Sequence, residues 1–306
     1  MTNKVLIVGS SGYLGQNLSQ HFSRITHVLG CSRRKQNIPF LTNFDHLLGD
    51  YGDTEFLRTI PDVDCIIHAG SPFHPREAVS ATDLQNIYDK EANLLKKICA
   101  LSNVKKLKNV IFLSSAGEVY GNPPALVCNE TTTENPITQY GEFKLRVEEM
   151  YISALKFENV LSVLRVSNPY GRPQTTRTDR NFINTSVKRA LDGLPINIWG
   201  DGMQGRDYLF VDDFINAVQA CLQKPIDGFR LLNIGCGEST SLIDAAELII
   251  KIVGRGRVDF VKPYFVPPIK KNILDISKAR CKLGWNPKYD LAAGIKKSIE
   301  IAERRT

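Results

Sequence analysis

The chain has 306 residues, of which 42% are hydrophobic and 23% are charged, and its formal net charge is +7. This length and apolar content suit two lobes or one large α/β unit with a real core, and they exclude a disordered, collagenous or membrane-spanning chain. Seven cysteines are scattered singly, so neither a metal site nor a disulfide framework is expected.

The sequence enters an apolar strand without the pattern of a secretory signal, which predicts a cytoplasmic protein. The basic residues form no stripe with interleaved aromatics, so no nucleic-acid partner is expected.

Short β-branched segments alternate with helical stretches along the first half of the chain. This alternation is typical of a parallel sheet with crossover helices, so we predict an α/β fold with a Rossmann-type doubly wound sheet. A helix is predicted from about Gly12. The predicted strands are Lys4 to Val8, His27 to Cys31, Asp64 to His68, Asn109 to Leu113 and Ser162 to Val166.

The pattern loosens after Asn168, where we place a smaller substrate-binding lobe. Its predicted features are a loop from Pro169 to Asp179, a helix from Phe182 to Leu191 and a proline-rich segment from Pro263 to Pro268. The dinucleotide-binding domain is predicted to cover residues 1–168, with 208–234 returning to it. The lobe is predicted to comprise 169–207 and 235–306, with substrate bound at the carboxyl ends of the strands.

A glycine-rich turn follows the first strand directly, with the spacing G-x-x-G-x-x-G. Gly9 permits a sharp exit from the strand, Gly12 lets the backbone approach a pyrophosphate, and Gly15 allows close packing of helix against strand. Because the turn joins a strand to a helix, it predicts a dinucleotide site rather than a simple tight turn. The cofactor-binding residues expected here are Gly9, Ser11, Gly12, Tyr13, Leu14 and Gly15.

The second strand ends without the acidic residue that would bind a ribose 2′-hydroxyl. Ser32, Arg33 and Arg34 stand there instead, and a guanidinium suits a 2′-phosphate. NADP is therefore expected ahead of NAD, which remains possible; the alternative is that both arginines only begin a solvated loop. Asp50, followed by Tyr51, is a candidate contact to the adenine, and turn formation is its alternative role.

Tyr140 and Lys144 place a phenol and an ammonium on one face of a helix. A free tyrosine has a pKa of about 10, so acid–base work near neutral pH needs on the order of 4 kcal/mol of phenolate stabilisation. The positive charges of the lysine and of an oxidised nicotinamide ring can supply much of this phenolate stabilisation. A tyrosine and a lysine at this spacing, with no other motif nearby, are usually ordinary neighbours on a helix surface. Here the pair follows a strand that ends in Ser114 and Ser115, which offer a third hydrogen-bonding group.

These motifs, in this order, resemble those of the extended short-chain dehydrogenase/reductases, in the sugar-nucleotide epimerase/dehydratase family. The resemblance runs almost from end to end of the chain. It is carried by GSSGYLG at 9–15, IHA at 67–69, SSAGEVYG at 114–121, YGEFK at 140–144, RVSNPYG at 165–171, GDGMQGRDY at 200–208, NIG at 233–235 and LGWNP at 283–287.

The resemblance implies a role for each matching residue. Tyr140 would be the catalytic acid/base, Lys144 would bind the nicotinamide ribose and tune Tyr140, and Ser115 would hydrogen-bond the reacting sugar oxygen. Ala69 would join the cofactor site, and Asp207 and Asp213 would brace the lobe. The substrate-binding residues would be Ser115, Glu118, Asn168, Asn181, Phe182 and Arg206. Arg206 suits phosphate oxygens because of its planar fork, whereas helix capping is an equal alternative for Asn181.

Two departures from the family pattern bear on chemistry. Ala116 occupies the usual hydroxyl position three residues before Val119, so a longer loop is needed for Ser115 to serve, and Ser114 stays a candidate. Dehydratases of the family carry an aspartic acid where Gly117 stands, so 4,6-dehydration is disfavoured.

Two enzyme activities therefore remain. The first is an NADPH-dependent 4-ketoreductase of a 4-keto-6-deoxy sugar nucleotide, favoured by the arginines after the second strand. The alternative is a nucleotide-sugar 4-epimerase, similar to UDP-glucose 4-epimerase, with tightly bound NAD. A third possibility, a non-catalytic nucleotide-binding regulator, is disfavoured because Tyr140 and Lys144 are both present.

The expected partners are a nucleotide-diphosphate sugar and a second copy of the chain, with no membrane. The resemblance implies a homodimer formed through two long helices, one of them bearing Tyr140. That helix offers an apolar stripe that equally suits ordinary core packing, formed by Phe143, Val147, Met150, Tyr151 and Leu155.

Overall fold

The computed structural model describes residues 4–35, 41–75, 77–103, 107–158, 160–172, 181–224, 228–262 and 268–303. Most of the predicted loop from Pro169 to Asp179, and all but the last residue of the predicted proline-rich segment, lie outside these ranges. Within them, the chain forms two compact units. Unit 1 comprises 1–115, 139–165 and 218–232, and unit 2 comprises 116–138, 166–217 and 233–306. The predicted domain boundaries stay a prediction.

The strands, in chain order, are β1 (Lys4–Val8), β2 (His27–Ser32), β3 (Phe44–Leu48), β4 (Cys65–His68), β5 (Asn109–Ser115), β6 (Val127–Cys128), β7 (Leu161–Val166), β8 (Asn168–Tyr170), β9 (Ile196–Trp199), β10 (Gly205–Arg206), β11 (Tyr208–Phe210), β12 (Phe229–Ile234), β13 (Thr240–Ser241), β14 (Val258–Val261) and β15 (Ile273–Leu274). The helices are α1 (Tyr13–Phe22), α2 (Thr54–Thr59), α3 (Ala81–Asn103), α4 (Ala116–Tyr120), α5 (Gln139–Leu155), α6 (Phe182–Leu191), α7 (Val211–Gln223), α8 (Leu242–Val253), α9 (Ser277–Leu283) and α10 (Leu291–Glu303).

Unit 1 is built on a seven-stranded sheet with the order β12-β7-β5-β4-β1-β2-β3. Strand β1 pairs in parallel with both β2 and β4, so it lies inside the sheet. Its run of Val5 to Val8 is almost fully buried, as expected for a parallel strand covered on both faces. The predicted α/β fold with a parallel Rossmann-type sheet is confirmed, with β1 at its predicted bounds and the other predicted strands shifted by at most two residues at an end.

The apolar stripe of α5 belongs to the core of unit 1. Phe143, Val147, Tyr151 and Leu155 are all buried there, and Met150 packs against them. Of the two interpretations of this stripe, core packing accounts for these side chains, and the homodimer stays a prediction.

Unit 2 has its own core and only short strand pairs. Strands β9 and β14, β8 and β11, and β6 and β15 pair in parallel, whereas β10 and β13 are antiparallel. Helices α6, α8 and α10 pack against one another over a core that includes Ile183, Ile249 and Ile295. Helix α6 has the bounds predicted from its amphipathic pattern. None of the helices in the described ranges is both long enough and apolar enough to cross a membrane.

Candidate functional site

The glycine turn lies between β1 and α1, where a dinucleotide-binding turn is expected. Gly9 has φ of 82°, and a Cβ there would clash with Gly70, which follows β4. A Cβ on Gly15 would clash with the Gly9 carbonyl oxygen, so α1 and the strand end can approach this closely only because both residues are glycine. The first and third glycines are therefore fixed by packing within unit 1.

Gly12 differs from the other two glycines because a Cβ added there would meet a single atom within 4 Å and would not overlap it severely. The nearest atom to a methyl group added at this position would be the Gly9 carbonyl oxygen, at 3.3 Å. Gly12 is also the N-cap of α1, and no side chain caps the helix there. A helix N-terminus with a bare backbone on its approach side fits a pyrophosphate. The cofactor expected from the sequence therefore fits this turn.

Ser32, Arg33 and Arg34 follow at the carboxyl end of β2. The Ser32 hydroxyl is buried, donates to the Arg34 carbonyl oxygen at 2.7 Å and contacts His46 Nε2 at 2.8 Å. Arg33 and Arg34 are exposed. The backbone here is thus held in place while two guanidinium groups remain in solvent, as a site for a 2′-phosphate requires.

Asp50 and Tyr51 follow β3, next in the sheet. The Asp50 carboxylate accepts from the Gly52 amide at 3.0 Å and pairs with Lys90 Nζ at 2.6 Å. Burial favours a higher pKa for Asp50, but these hydrogen bonds and the charges of Lys90 and Arg33 lower it below its ordinary value. The turn role considered from the sequence is therefore filled by this carboxylate, which also lies in the field of Arg33.

Ala69 follows β4, and its amide donates to the Val8 carbonyl oxygen at 2.9 Å. That bond ties the end of β4 to the strand that leads into the glycine turn. Unit 1 thus gathers the predicted cofactor residues of four neighbouring strands at one edge of its sheet.

Tyr140 and Lys144 lie in the first two turns of α5. Lys144 Nζ is 5.8 Å from the centre of the Tyr140 ring, and it donates a hydrogen bond to the Leu113 carbonyl oxygen of β5 at 3.1 Å. The Tyr140 ring meets Phe73 edge to face at 5.6 Å and is partly exposed. The phenol thus stays accessible while the ammonium is held beside it, which is the arrangement that acid–base use of the tyrosine needs.

Two serines end β5. The Ser114 hydroxyl is buried, and within the described part of the chain it has no hydrogen-bond partner. Ser115 is partly exposed. Both remain candidates for the hydroxyl that contacts substrate.

A polar cluster that we did not predict lies between α3, β4 and α5; we call it the buried cluster, formed by Tyr51, His68, Glu91 and Tyr151. The Tyr51 hydroxyl donates to Glu91 Oε1 at 2.7 Å, and the Tyr151 hydroxyl is 3.0 Å from His68 Nδ1. His68 Nδ1 is also 3.7 Å from Glu91 Oε2. His68 and Glu91 are each only 1% exposed. The sequence held one signal of this burial, the spacing of Glu91 along α3. Glu91 falls within the apolar stripe of that helix, which is formed by Leu84, Ile87, Leu94 and Ile98.

In unit 2, Glu118 lies in α4 and is half-buried. Its carboxylate accepts from the Thr138 hydroxyl at 2.5 Å. Burial raises the pKa of Glu118, while the Thr138 hydrogen bond and the charge of Arg206 oppose that rise. Glu118 and Arg206 are therefore close enough in this unit to interact electrostatically.

Asn168 and Arg206 also lie in unit 2. The Asn168 side-chain amide donates to the Asp207 carbonyl oxygen at 3.1 Å, and Arg206 Nη1 donates to the Gly205 carbonyl oxygen at 2.8 Å. Asp207 itself is fully buried and accepts from the amides of Cys236 and Gly237. The side chain of Asp207 thus braces the unit, as the family resemblance implied.

Asp213 has a similar structural role. Its carboxylate accepts from the amides of Lys288 and Tyr289, at 2.9 and 3.0 Å. Its carbonyl oxygen accepts from the Trp285 indole at 3.0 Å. These bonds fasten the start of α7 to the segment before α10.

Asn181 and Phe182 begin α6. The Asn181 side-chain oxygen accepts from the Asn184 amide at 3.3 Å, and its nitrogen donates to the Pro169 carbonyl oxygen. The side chain thus fills the capping role weighed from the sequence, and substrate binding by Asn181 stays a prediction. Phe182 is the first helical residue and is partly exposed.

Comparison with known proteins gives a consistent result. Residues 5–235 match the model of the NAD-dependent epimerase/dehydratase family. A putative UDP-glucose 4-epimerase of Methanocaldococcus jannaschii is 30% identical over 310 residues, covering 96% of this chain and 97% of the relative. A dTDP-4-dehydro-6-deoxyglucose reductase of Escherichia coli is 28% identical over 317 residues, covering 97% of each.

A solved structure extends the likeness to the fold. The UDP-glucuronic acid 4-epimerase of Bacillus cereus, in complex with UDP-glucuronic acid and NAD, is 26% identical with a TM-score of 0.83. The match covers 99% of this chain and 100% of that one.

Proposed function

This chain belongs to the NAD-dependent epimerase/dehydratase family, and from that premise we propose that it is a nucleotide-sugar 4-epimerase. The membership confirms the resemblance to extended short-chain dehydrogenase/reductases and the expectation of an NAD(P)-dependent enzyme. The preference between the two activities reverses relative to the sequence, because the relative at 30% identity is a putative UDP-glucose 4-epimerase. The observation that carries the proposal is the Tyr140–Lys144 pair in the same unit as the glycine turn.

Different residues of unit 1 would bind different parts of the cofactor. The bare backbone at Gly12 and the N-terminus of α1 would take the pyrophosphate, and Arg33 and Arg34 would lie toward the adenosine ribose. Lys144 would bind the nicotinamide ribose. When bound, the nicotinamide supplies the hydride acceptor and donor for C4 of the sugar.

Tyr140 moves the proton in this scheme. Its phenolate oxygen takes the proton of the C4 hydroxyl as that carbon is oxidised and returns it to the same oxygen when the carbon is reduced on the other face. The nearby Lys144 ammonium would stabilise the phenolate before the first step and after the second, while Tyr140 is a neutral phenol in between, and Ser115 or Ser114 would hydrogen-bond the same sugar oxygen.

Unit 2 would hold the nucleotide diphosphate. Arg206 carries the positive charge suited to phosphate oxygens, and Asn168 and the start of α6 at Phe182 lie in the same unit. Glu118, near Arg206, would then face the sugar side of that site. Dehydration is not proposed, because no acid stands at Ala116 or Gly117.

A 4-ketoreductase is the second candidate, and two observations favour it. Arg33 and Arg34 are exposed at the position that distinguishes NADP from NAD, and the Escherichia coli relative is a reductase. The same Tyr140 would then deliver one proton to the C4 oxygen without taking it back.

The two candidates differ in what they consume. The purified protein would be denatured and its released nicotinamide identified. Intact protein would then be given UDP-glucose, UDP-glucuronic acid, or dTDP-4-dehydro-6-deoxyglucose with NADPH. Retained NAD and interconversion of a UDP-sugar with its C4 epimer, without net change in nicotinamide absorbance, is the expected result. Stoichiometric NADPH oxidation by the keto sugar would establish the reductase instead, and no reaction with any of the three would remove support from both.

We also propose a homodimer and a cytoplasmic location. The dimer rests on the family resemblance alone, since the stripe on α5 is used within the core. Light scattering coupled to gel filtration would give twice the chain mass; a mass of 34.2 kDa would reject the dimer.

A further inference from the structure

The turn that follows β3 is held by side chains of α3. We call it the β3 turn, formed by Asp50, Tyr51 and Gly52. It leaves the outermost strand of the seven-stranded sheet. A loop at the edge of a sheet has few packed neighbours, so it opens easily unless another element restrains it. Helix α3 is that element here.

Lys90 and Asn93 of α3 hold the two ends of the β3 turn. Lys90 Nζ pairs with Asp50 Oδ2 at 2.6 Å, and the Asn93 side-chain amide donates to the Gly52 carbonyl oxygen at 3.2 Å. A Cβ added at Gly52 would clash with Cγ of Lys90, so the lysine stem lies directly against the Gly52 backbone. The first and last residues of the turn are thus fixed to one helix.

The middle residue of the turn is held by the buried cluster. The Tyr51 hydroxyl donates to Glu91 Oε1 at 2.7 Å, and Glu91 is 1% exposed. The Tyr51 ring also meets His68 edge to face at 5.4 Å. A hydrogen bond to a carboxyl group is strengthened when water is excluded from it, so Glu91 fixes the direction of the Tyr51 ring.

The β3 turn lies beside both parts of the expected cofactor site. On one side, the Gly49 amide donates to the Ser32 carbonyl oxygen at 3.1 Å, in the segment that leads to the two exposed arginines. On the other side, a Cβ added at Gly70 would lie 3.4 Å from Tyr51 Cε1, and Gly9 of the glycine turn packs against this same Gly70. The turn is therefore placed where the adenosine half of a dinucleotide would lie.

The Asp50 carboxylate can accept a further hydrogen bond. Its Oδ1 accepts from the Gly52 amide at 3.0 Å, and its Oδ2 pairs with Lys90. These interactions use about half of the acceptor positions of an ionised carboxylate, and the Asp50 side chain is 29% exposed. A carboxylate accepts from the 6-amino group of adenine, whereas the 6-oxo group of hypoxanthine offers it no donor. Asp50 therefore suits one purine and not the other.

We propose that Lys90 and Glu91 are positioning residues, which fix the β3 turn so that Asp50 can make the adenine contact expected from the sequence. This inference rests on the cofactor site of the proposed function. Lys90 acts through Asp50, and Glu91 acts through Tyr51; neither is a catalytic residue. The two side chains of α3 thus set how strongly the protein prefers an adenine dinucleotide.

The test compares NAD with nicotinamide hypoxanthine dinucleotide, which differs from NAD only at position 6 of the purine. Protein freed of nucleotide is titrated calorimetrically with each. The wild type should bind NAD about tenfold more tightly or better, because only adenine donates to Asp50. Lys90→Met and Glu91→Leu each release part of the turn, so each should reduce this preference about threefold or more. Glu91→Gln keeps an oxygen that accepts from Tyr51, so it should retain the preference.

The matched control is Lys96→Met, which removes the same charge as Lys90→Met from an exposed position on α3. It should leave the preference for NAD unchanged. An unchanged preference in Lys90→Met and Glu91→Leu would overturn the proposal. Equal weakening of both dinucleotides by these variants would overturn it too, because general loosening of the fold does not select between purines.

The Lys90 side chain is 42% exposed, so Lys90→Met tests the proposal even where Glu91→Leu does not fold. A wild type that binds both dinucleotides equally would overturn the proposal and leave the cofactor assignment intact. A wild type that binds neither would reject both. Because turnover is not measured, the result stands whether or not a nucleotide sugar reacts.

Discussion

Arg165 of β7 and Glu148 of α5 form a fully buried ion pair in unit 1. Arg165 Nη2 is 2.7 Å from Glu148 Oε2, and Nε is 3.1 Å from the same oxygen. The two side chains are 2% and 1% exposed. The pair therefore fastens the helix that bears Tyr140 and Lys144 to the sheet beneath it.

We expect the two residues of this pair to be strongly coupled. Glu148→Gln leaves a buried guanidinium without its counter-charge and should lower the free energy of unfolding by about 3–5 kcal/mol. The double variant Arg165→Met, Glu148→Met removes both charges and should lose less than Glu148→Gln alone. Urea denaturation measures both, with the exposed Glu149→Gln expected within about 0.5 kcal/mol of wild type. A double variant less stable than the single one would contradict this account.

Tyr140→Phe should reduce turnover by about 10²–10⁴-fold, because the proton carrier is lost. Nicotinamide binding should stay close to wild type, since the ring and Lys144 remain. Tyr88→Phe is the matched control: this tyrosine of α3 stacks with Arg146 instead of Lys144, and its variant should keep full activity. Near-wild-type turnover by Tyr140→Phe would reject the acid–base assignment.

Arg33→Ala should weaken NADPH binding by about tenfold or more, through loss of a charge-assisted hydrogen bond to the 2′-phosphate. NADH binding should change little. Isothermal titration of both cofactors measures the difference. Arg58→Ala, which removes an exposed arginine of α2 paired with Glu55, serves as the control. If Arg33→Ala weakens both cofactors equally, Arg33 does not select between them.

Gly12 and Gly15 should respond differently to the same methyl group. Gly15→Ala introduces a clash with the Gly9 carbonyl oxygen and should lower the melting temperature. Gly12→Ala meets only that oxygen, at 3.3 Å, a tight contact that a shift of a few tenths of an ångström relieves. It should therefore lower the melting temperature less than Gly15→Ala does, and it should lose the stabilisation that added nicotinamide dinucleotide gives. Thermal melts with and without cofactor test this, and normal cofactor stabilisation of Gly12→Ala would place the pyrophosphate elsewhere.

His68 and Glu91 should oppose each other in the pH dependence of stability. The pKa of His68 is lowered from 6.5 to about 3, so its contribution is present above pH 6.5 and is lost as pH falls toward 3. The pKa of Glu91 is raised from 4.5 to about 7, so its contribution is present below pH 4.5 and is lost as pH rises through 7. Between pH 4.5 and 6.5 the two nearly cancel.

In Glu91→Gln, the contribution of His68 to the pH dependence of the free energy of unfolding should no longer be cancelled. Its free energy of unfolding should fall below pH 6.5 by up to about 1.4 kcal/mol per pH unit more than that of the wild type. His68→Phe should instead lose stability as pH rises from 4.5 to 7. Denaturation series across this range check both, and parallel curves for wild type and both variants would contradict the opposed pKa shifts.

The sequence was most informative where local pattern and tertiary role agree. The run from Val5 to Val8 needs burial on both faces, and the glycine turn after it needs small residues, so both were predictable. Helix α6 shows the same agreement, since its amphipathic pattern and its Asn181 cap mark both its face and its start.

The sequence was least informative where long-range packing decides. Strand β3 was not predicted, because Phe-Asp-His-Leu-Leu carries neither β-branched residues nor a clean alternation; pairing with β2 at the sheet edge makes it a strand. Glu91 was missed for a similar reason. Its spacing within the apolar stripe of α3 was a weak signal of burial, but a single acid on a helix is usually solvated, and the contacts of α3 with β4 and α5 are what bury it. Ser114 and Ser115 could not be separated, because two adjacent hydroxyls differ only in side-chain direction.

Unit 1 is completed by a segment that the ribosome makes late. Strand β12 lies beside β7 at the edge of the sheet, yet it begins at Phe229, well after β7 ends at Val166. At a synthesis rate of about 5–20 residues per second, roughly 3–13 seconds pass between the synthesis of β7 and that of its partner strand β12. During that time its edge offers unpaired backbone groups to other nascent chains. Slower translation of the intervening region would lengthen this exposure, so the yield of folded protein in a cell should depend on codon choice before Phe229.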